Sequence, residues 1–177
     1  MKKNKSSLNL IIFLLIVILL GGCNKAEVGS SKYIYNYKGY YEYESPSKDD
    51  STFRFKYPSG WIIKEEPFSE STENSEASPD WGAFIYKEGY EENRVYIFTS
   101  FSPRSIVNDD VKKEEFIVDK VKKGDLYIDI GEGQVNLYLL YNQGTGKGFQ
   151  NALVNMEEEF YNEHKEEIWH ILASVEY

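Results

Sequence analysis

The chain has 177 residues, a length for one domain, and carries 29 acidic against 20 basic side chains for a formal net charge of −9. Lys2, Lys3 and Lys5 open the chain, so the remainder holds 17 bases, 29 acids and a net charge of −12, which excludes nucleic acid as a partner and excludes electrostatic attachment to anionic headgroups. Aromatics make up 16% of the residues, with 15 Tyr, and that much apolar area excludes a chain disordered throughout.

In chain order the first element is a leader. After the three lysines, Leu10 to Leu20 is an unbroken apolar run of eleven, and Gly21 and Gly22 precede Cys23. A spanning helix needs about 20 apolar residues. Eleven is the length of a signal-peptide core, and a short anchor that is never cut is the competing reading. Leu20-Gly21-Gly22-Cys23 resembles the lipobox of bacterial lipoproteins. The resemblance implies diacylglyceryl transfer to the Cys23 thiol and cleavage between Gly22 and Cys23. It further implies acylation of the new amino end, palmitate being one such acyl group. Two or more chains anchor stably where one does not. The expected place is therefore the extracytoplasmic face of the cell membrane, with the membrane itself as a partner through lipid on Cys23. Cys23 is the only cysteine, which leaves the folded part without a disulfide framework, a Cys-based metal site or a thiol nucleophile.

Residues 1–22 thus read as a signal peptide, 23–39 as anchor and tether, and 40–177 as the folded domain. Asn24 to Lys32 is small and polar, as a flexible tether is. Tyr33, Tyr35 and Tyr37 alternate with Ile34, Asn36 and Lys38, which fits either a strand or an ordered arm over the domain. Tyr41-Glu42-Tyr43 alternates as a strand does. Phe53-Arg54-Phe55-Lys56-Tyr57 alternates more clearly, Pro58-Ser59-Gly60 makes a turn, and Trp61 continues a strand, so residues 53–65 read as a hairpin. Residues 66–80, rich in Ser and Glu with Pro67 and Pro79, read as a long surface loop.

Strands resume at Trp81 to Tyr86 and Val95 to Phe101, with a turn over Glu88 to Asn93. Asn108 to Lys123 reads as a helix, capped by Asn108 or Asp109, with Val111, Ile117, Val118 and Val121 as its stripe and Gly124 as its stop. Leu126 to Ile130, Gln134 to Tyr141 and Phe149 to Met156 read as three strands, with Gly144 to Gly148 as the turn between the last two. A closing helix runs from about Glu159 to Ala173, with Phe160, His164, Ile168, Ile171 and Leu172 on one face. Strands, helix, strands, helix with short links argues an α+β fold on an antiparallel sheet.

Tyr57-Pro58-Ser59-Gly60-Trp61 after an aromatic strand resembles the opening of PsbP-like domains, a family named for an extrinsic protein of the oxygen-evolving photosystem and found in many bacterial lipoproteins. Ile168-Trp169-His170-Ile171-Leu172-Ala173-Ser174-Val175-Glu176-Tyr177 resembles the family's closing helix and strand. Together these cover about residues 40–177. The resemblance implies an α-β-α sandwich, with a central antiparallel sheet of about six strands flanked by helices. It implies an accessory or binding role without enzyme activity, and the photosynthetic role does not carry over.

The chemistry-bearing residues are few. His164 and His170 lie six apart on the closing helix, a rotation of about 600°, so they diverge and cannot chelate one ion together. His164 falls on the apolar face and reads as a core or boundary residue. Glu167 and His170 have the Glu-x-x-His spacing of di-metal helices, with Glu163 and Glu166 on the same side. The second such motif is missing, since Tyr161 precedes His164 by three, so Glu163, Glu166, Glu167 and His170 are weak metal candidates against a solvated acidic face. Gly146-Lys147 lacks the flanking Gly and Ser or Thr of a phosphate loop. No Gly-x-Ser-x-Gly elbow occurs. Trp61, Trp81 and Trp169 read as core, while Tyr33, Tyr35, Tyr37, Tyr40 and Tyr41 could form an aromatic patch.

The expectation is a non-catalytic, lipid-anchored envelope module with no cofactor and an unidentified protein or envelope partner. A solute- or metal-binding lipoprotein serving a transporter is the alternative. An acid-pair envelope hydrolase, drawing on Glu65-Glu66, Asp109-Asp110 or Glu157-Glu158-Glu159, stands behind both.

Overall fold

The computed structural model describes residues 34–46, 52–66, 81–100, 111–141 and 149–177, with Trp81 by its backbone alone. The leader with Cys23, the tether, Tyr33, the loop beyond Glu66, the proposed cap at Asn108 to Asp110 and the Gly144 to Gly148 turn lie outside the described residues.

Nine strands and one helix occur among the described residues: β1 Tyr41–Glu44, β2 Arg54–Tyr57, β3 Trp61–Glu66, β4 Trp81–Lys87, β5 Arg94–Ser100, β6 Lys112–Val118, β7 Val121–Gly131, β8 Gln134–Tyr141, β9 Phe149–Glu157 and α1 Glu158–Ala173. β1 and β2 form a two-stranded sheet. The other seven form one antiparallel sheet in the order β3-β4-β5-β9-β8-β7-β6.

This corrects the expected architecture. The described chain is mostly β, with a single C-terminal helix, and is not an α-β-α sandwich flanked by helices. The error lies at Asn108 to Lys123. Its described part is β6, a tight turn and the start of β7. Asp119 and Lys120 both take left-handed backbone, φ 49° and 68°, which is the two-residue hairpin turn whose twist matches its strands. The supposed helical stripe is split, with Val118 buried at 6% exposure and Val121 open at 58%. Phe116, Ile117 and Val118 are bulky or β-branched and pack better on a pleated surface than on a helix.

The expected hairpin over 53–65 is a second correction. The turn exists, and Gly60 supplies its positive φ of 84°. However, it carries the chain from one sheet to the other: β2 pairs with β1, and β3 pairs with β4. β2 is claimed instead by the chain's end, where Arg54 and Glu176 exchange backbone hydrogen bonds of 2.9 Å each.

The main core lies between one face of the large sheet and α1, with the β1-β2 ribbon closing its side. Phe53, Phe55, Ile85, Ile97, Leu137 and Met156 meet Tyr161, Ile168, Trp169 and Leu172 there. Trp169 stacks on Phe116, with ring centroids 5.9 Å apart, and donates its indole N–H to the Tyr161 hydroxyl at 2.9 Å. Tyr141 donates to the Leu172 carbonyl at 2.8 Å, tying β8 to the end of α1. The helix starts without a side-chain cap of its own. Its first N–H groups go to Asn93 Oδ1 from Glu157, at 2.7 Å, and to the Gly133 carbonyl from Glu158, at 2.8 Å.

The opposite sheet face carries a smaller cluster around Tyr96, Phe98 and Tyr138. Arg94, Phe84, Tyr96 and Phe98 stack in a row, at 4.8, 4.4 and 4.5 Å in turn. Gly82 is required beneath that row, because a Cβ there would stand 2.4 Å from the Tyr96 ring.

Candidate functional site

The helix α1 presents titratable side chains on two flanks, and each flank is organised by a histidine. Phe160, His164 and Glu167 follow the i, i+4, i+7 spacing and share one flank. Trp61 opens β3 and donates its indole N–H to Glu167 Oε2 at 2.9 Å. Lys87, the cross-strand partner of Trp61, places Nζ 3.1 Å from the same oxygen and 5.5 Å from the indole centroid. His164 Nδ1 lies 3.4 Å from that oxygen, and its Nε2 lies 3.8 Å from Glu163 Oε1. The Phe160 ring sits 4.6 Å from the imidazole, with Tyr90 5.3 Å beyond it. Indole and ammonium together occupy the oxygen that a general base would present to a substrate. The arrangement holds β3, β4 and α1 together and leaves Glu163 and Tyr90 toward solvent.

On the other flank His170 is only 4% exposed. Its Nδ1 lies 2.7 Å from the Glu166 carbonyl oxygen, which can only accept, so Nδ1 carries the proton. The Asn36 backbone N–H donates to Nε2 at 3.2 Å, so Nε2 is bare. Residues 34–40 form an arm across this flank, which decides between the two readings of the alternating tyrosines: the arm is ordered, and pairing begins only at Tyr41. Tyr35, Tyr37 and Tyr40 place their rings 5.2, 5.7 and 5.6 Å from the imidazole, with Tyr40 stacked on it. Tyr37 also donates to the His170 carbonyl at 3.2 Å and carries Lys56 Nζ 5.1 Å from its ring centre. Burial, followed by Asp119, Tyr40 and Glu176, pushes the Tyr37 hydroxyl above the usual phenol range. Burial, followed by Glu167 and Glu166, raises Tyr40 as well.

The structure disperses the weak metal candidates. Glu167 is engaged by Trp61 and Lys87, and Glu163 stands beside His164. His170 turns to the Glu166 carbonyl and Asn36, away from the acidic face it was expected to share. Among the described residues, no group of three or more His, Cys, Asp or Glu could hold a metal ion. Trp61 and Trp169 are buried as expected; the Trp81 side chain lies outside the described residues. Lys87, Asn36 and Lys56 had no sequence signal, since each acquires its role from a distant element.

Two half-open clefts lie along β2. One, of about 210 Å³, is lined by Glu44, Thr52, Phe53, Arg54, Glu176 and Tyr177. The other, of about 160 Å³, is lined by Glu42, Arg54, Phe55, Lys56, Ser174 and Glu176. Arg54 stands in both walls and clasps Glu176 Oε2 through Nε at 2.8 Å and Nη2 at 2.5 Å.

No protein-family model matches the chain, and no curated protein matches it. Among solved structures, the chain is similar to the solution structure of cyanobacterial PsbP (CyanoP) from Synechocystis sp. PCC 6803. The identity is 12% and the TM-score 0.46, over 89% of this chain and 98% of that one.

Proposed function

We propose that this chain is a lipid-anchored, extracytoplasmic accessory domain that binds a protein or envelope partner and catalyses nothing itself. The observation that carries the reading is the leader: three lysines, eleven apolar residues, then Leu20-Gly21-Gly22-Cys23. The site geometry supports the non-catalytic half. Both imidazoles and the best-placed carboxylate are bound to structural partners, as His170 to Asn36 and Glu167 to Trp61 and Lys87.

The anchor is tested by Cys23→Ala in the source bacterium or a close host. The wild type should incorporate radiolabelled palmitate and sediment with membranes, and the variant should do neither. An unlabelled wild type that keeps its initial Met would sink the anchor. The binding role is tested by cross-linking on intact cells, with recovery of the lipidated chain. A partner enriched with wild type and reduced by Glu163→Lys or Lys87→Glu is expected. Turnover of an envelope substrate by the purified chain would overturn the non-catalytic half.

A further inference from the structure

We propose that residues 34–40 are a latch on α1, closed while the His170 imidazole is neutral and opened when it takes up a proton. The hydrogen-bond pattern dictates the dependence. Nδ1–H is committed to the Glu166 carbonyl, and Nε2 accepts from Asn36 N–H. A proton on Nε2 would set two donors against each other at 3.2 Å and place a charge where only 4% of the residue meets solvent.

The facing groups pull both ways. From the arm come Tyr35, Tyr37 and Tyr40. Lys56 of β2 sits over Tyr37 and disfavours a second cation. Glu166 and Glu167 of α1 bear on Tyr40, and Asp119 and Glu176 bear on Tyr37; all four favour a cation, as does the stacked Tyr40 ring. Carboxylates act across the rings, whereas the clash with Asn36 N–H is direct. The direct contact decides the closed state.

Opening frees a seven-residue segment that begins one residue after Tyr33. For a chain held at Cys23, a consequence that rests on the lipid-anchor reading, release of residues 34–40 adds up to about 25 Å to the reach of the domain. The latch would set how far the domain reaches from its membrane.

Hydrogen exchange by mass spectrometry on the full-length lipidated chain in detergent, at pH 7.5 and pH 5, tests this after correction for intrinsic rates. The arm amides should lose at least about tenfold in protection at the lower pH while α1 keeps its own. His170→Gln, whose side-chain oxygen accepts from Asn36 and whose amide donates to Glu166, should hold the arm closed at both values. Nitrogen-15 correlation of the wild-type imidazole should show the Nδ1–H tautomer at pH 7.5. Equal arm protection at both pH values, equal loss in His170→Gln, or an Nε2–H tautomer would overturn the latch. The same exchange in Cys23→Ala should be unchanged, so a failed anchor and a failed latch are read separately.

Discussion

His164 and His170 lie within two turns of one helix and meet opposite surroundings. His164 sits at the rim among Glu163, Glu167 and Phe160, where every polar contact is with another side chain. His170 is buried, and both of its nitrogens meet backbone atoms, one from its own helix and one from a segment 134 positions away. A rim contact between side chains can be lost with a local cost. A buried contact with backbone couples the state of one ring to the position of a whole segment. The helix therefore carries a clamp on one flank and a switchable contact on the other.

Both flanks depend on the same seat, and removing it should break the comparison altogether. Trp169 is fully buried, stacked on Phe116 and bonded to Tyr161. Trp169→Ala should cost about 3–5 kcal/mol in urea unfolding, and both flanks should fail together. A variant that loses arm protection yet keeps the Trp61 environment would show that the flanks are seated independently.

Raising the pH should separate them next. Tyr141 is buried and Tyr177 half-buried against the core, and desolvation holds both well above the usual phenol range, as it raises Tyr37. All three line the core or the arm beside α1's C-terminal half. A raised phenol contributes stability that is fully present below the unfolded value of 10.0 and lost as pH climbs past it. Each phenol so raised should contribute a loss of up to about 1.4 kcal/mol per pH unit in that range. The melting temperature should hold from pH 7 to about pH 9 and then fall, with phenolate absorbance delayed until unfolding. A native protein whose 15 tyrosines all ionise together near pH 10, with no loss of stability, would contradict this.

These same contacts mark what could be read from the sequence. Alternation located the strands at Tyr41–Tyr43, Trp81–Tyr86, Gln134–Tyr141 and Phe149–Met156, and the 3.6-residue period located α1, because those signals are local. The segment before Gly124 was lost because Val111, Ile117, Val118 and Val121 satisfy a helical spacing while two charged residues, Asp119 and Lys120, hide a hairpin turn usually written with Gly or Asn. His170 was misread for a different reason, whereas His164 is the half-buried boundary residue expected of it. A helical wheel shows which residues share a face but not what covers it, and the cover on His170 comes from Tyr35 to Tyr40. The Glu-x-x-His spacing was real in sequence and void in chemistry, since Glu167 is taken by Trp61 and Lys87 while His170 is taken by the Glu166 carbonyl and Asn36.

The clamp itself is sharpened by Glu167→Gln. The amide keeps an acceptor for Trp61 Nε1 but removes the charge facing Lys87, a pair whose side chains are 24% and 34% exposed. Partial solvation limits the expected cost to about 1 kcal/mol in urea unfolding. Glu167 also bears on Tyr40, which stacks on His170, so losing its charge should tighten the arm at low pH, by less than the full latch effect. Arm exchange that is wholly unmoved would leave the common helix as the only link between the two flanks.

The smallest effect is expected where the ion pair looks strongest by distance. Arg54 grips Glu176 at 2.8 and 2.5 Å, yet the two side chains are 57% and 52% exposed. Water competes for both partners, so Arg54→Gln should leave the urea midpoint close to that of the wild type. The backbone exchange between the same two residues needs neither side chain, and the chain end should stay paired to β2. Hydrogen exchange at Arg54 and Glu176 separates the two contributions. Amides that remain protected in Arg54→Gln assign the joint to the backbone, whereas amides that open assign it to the guanidinium and make the arm's neighbour on β2 as salt-sensitive as the clamp on the opposite flank.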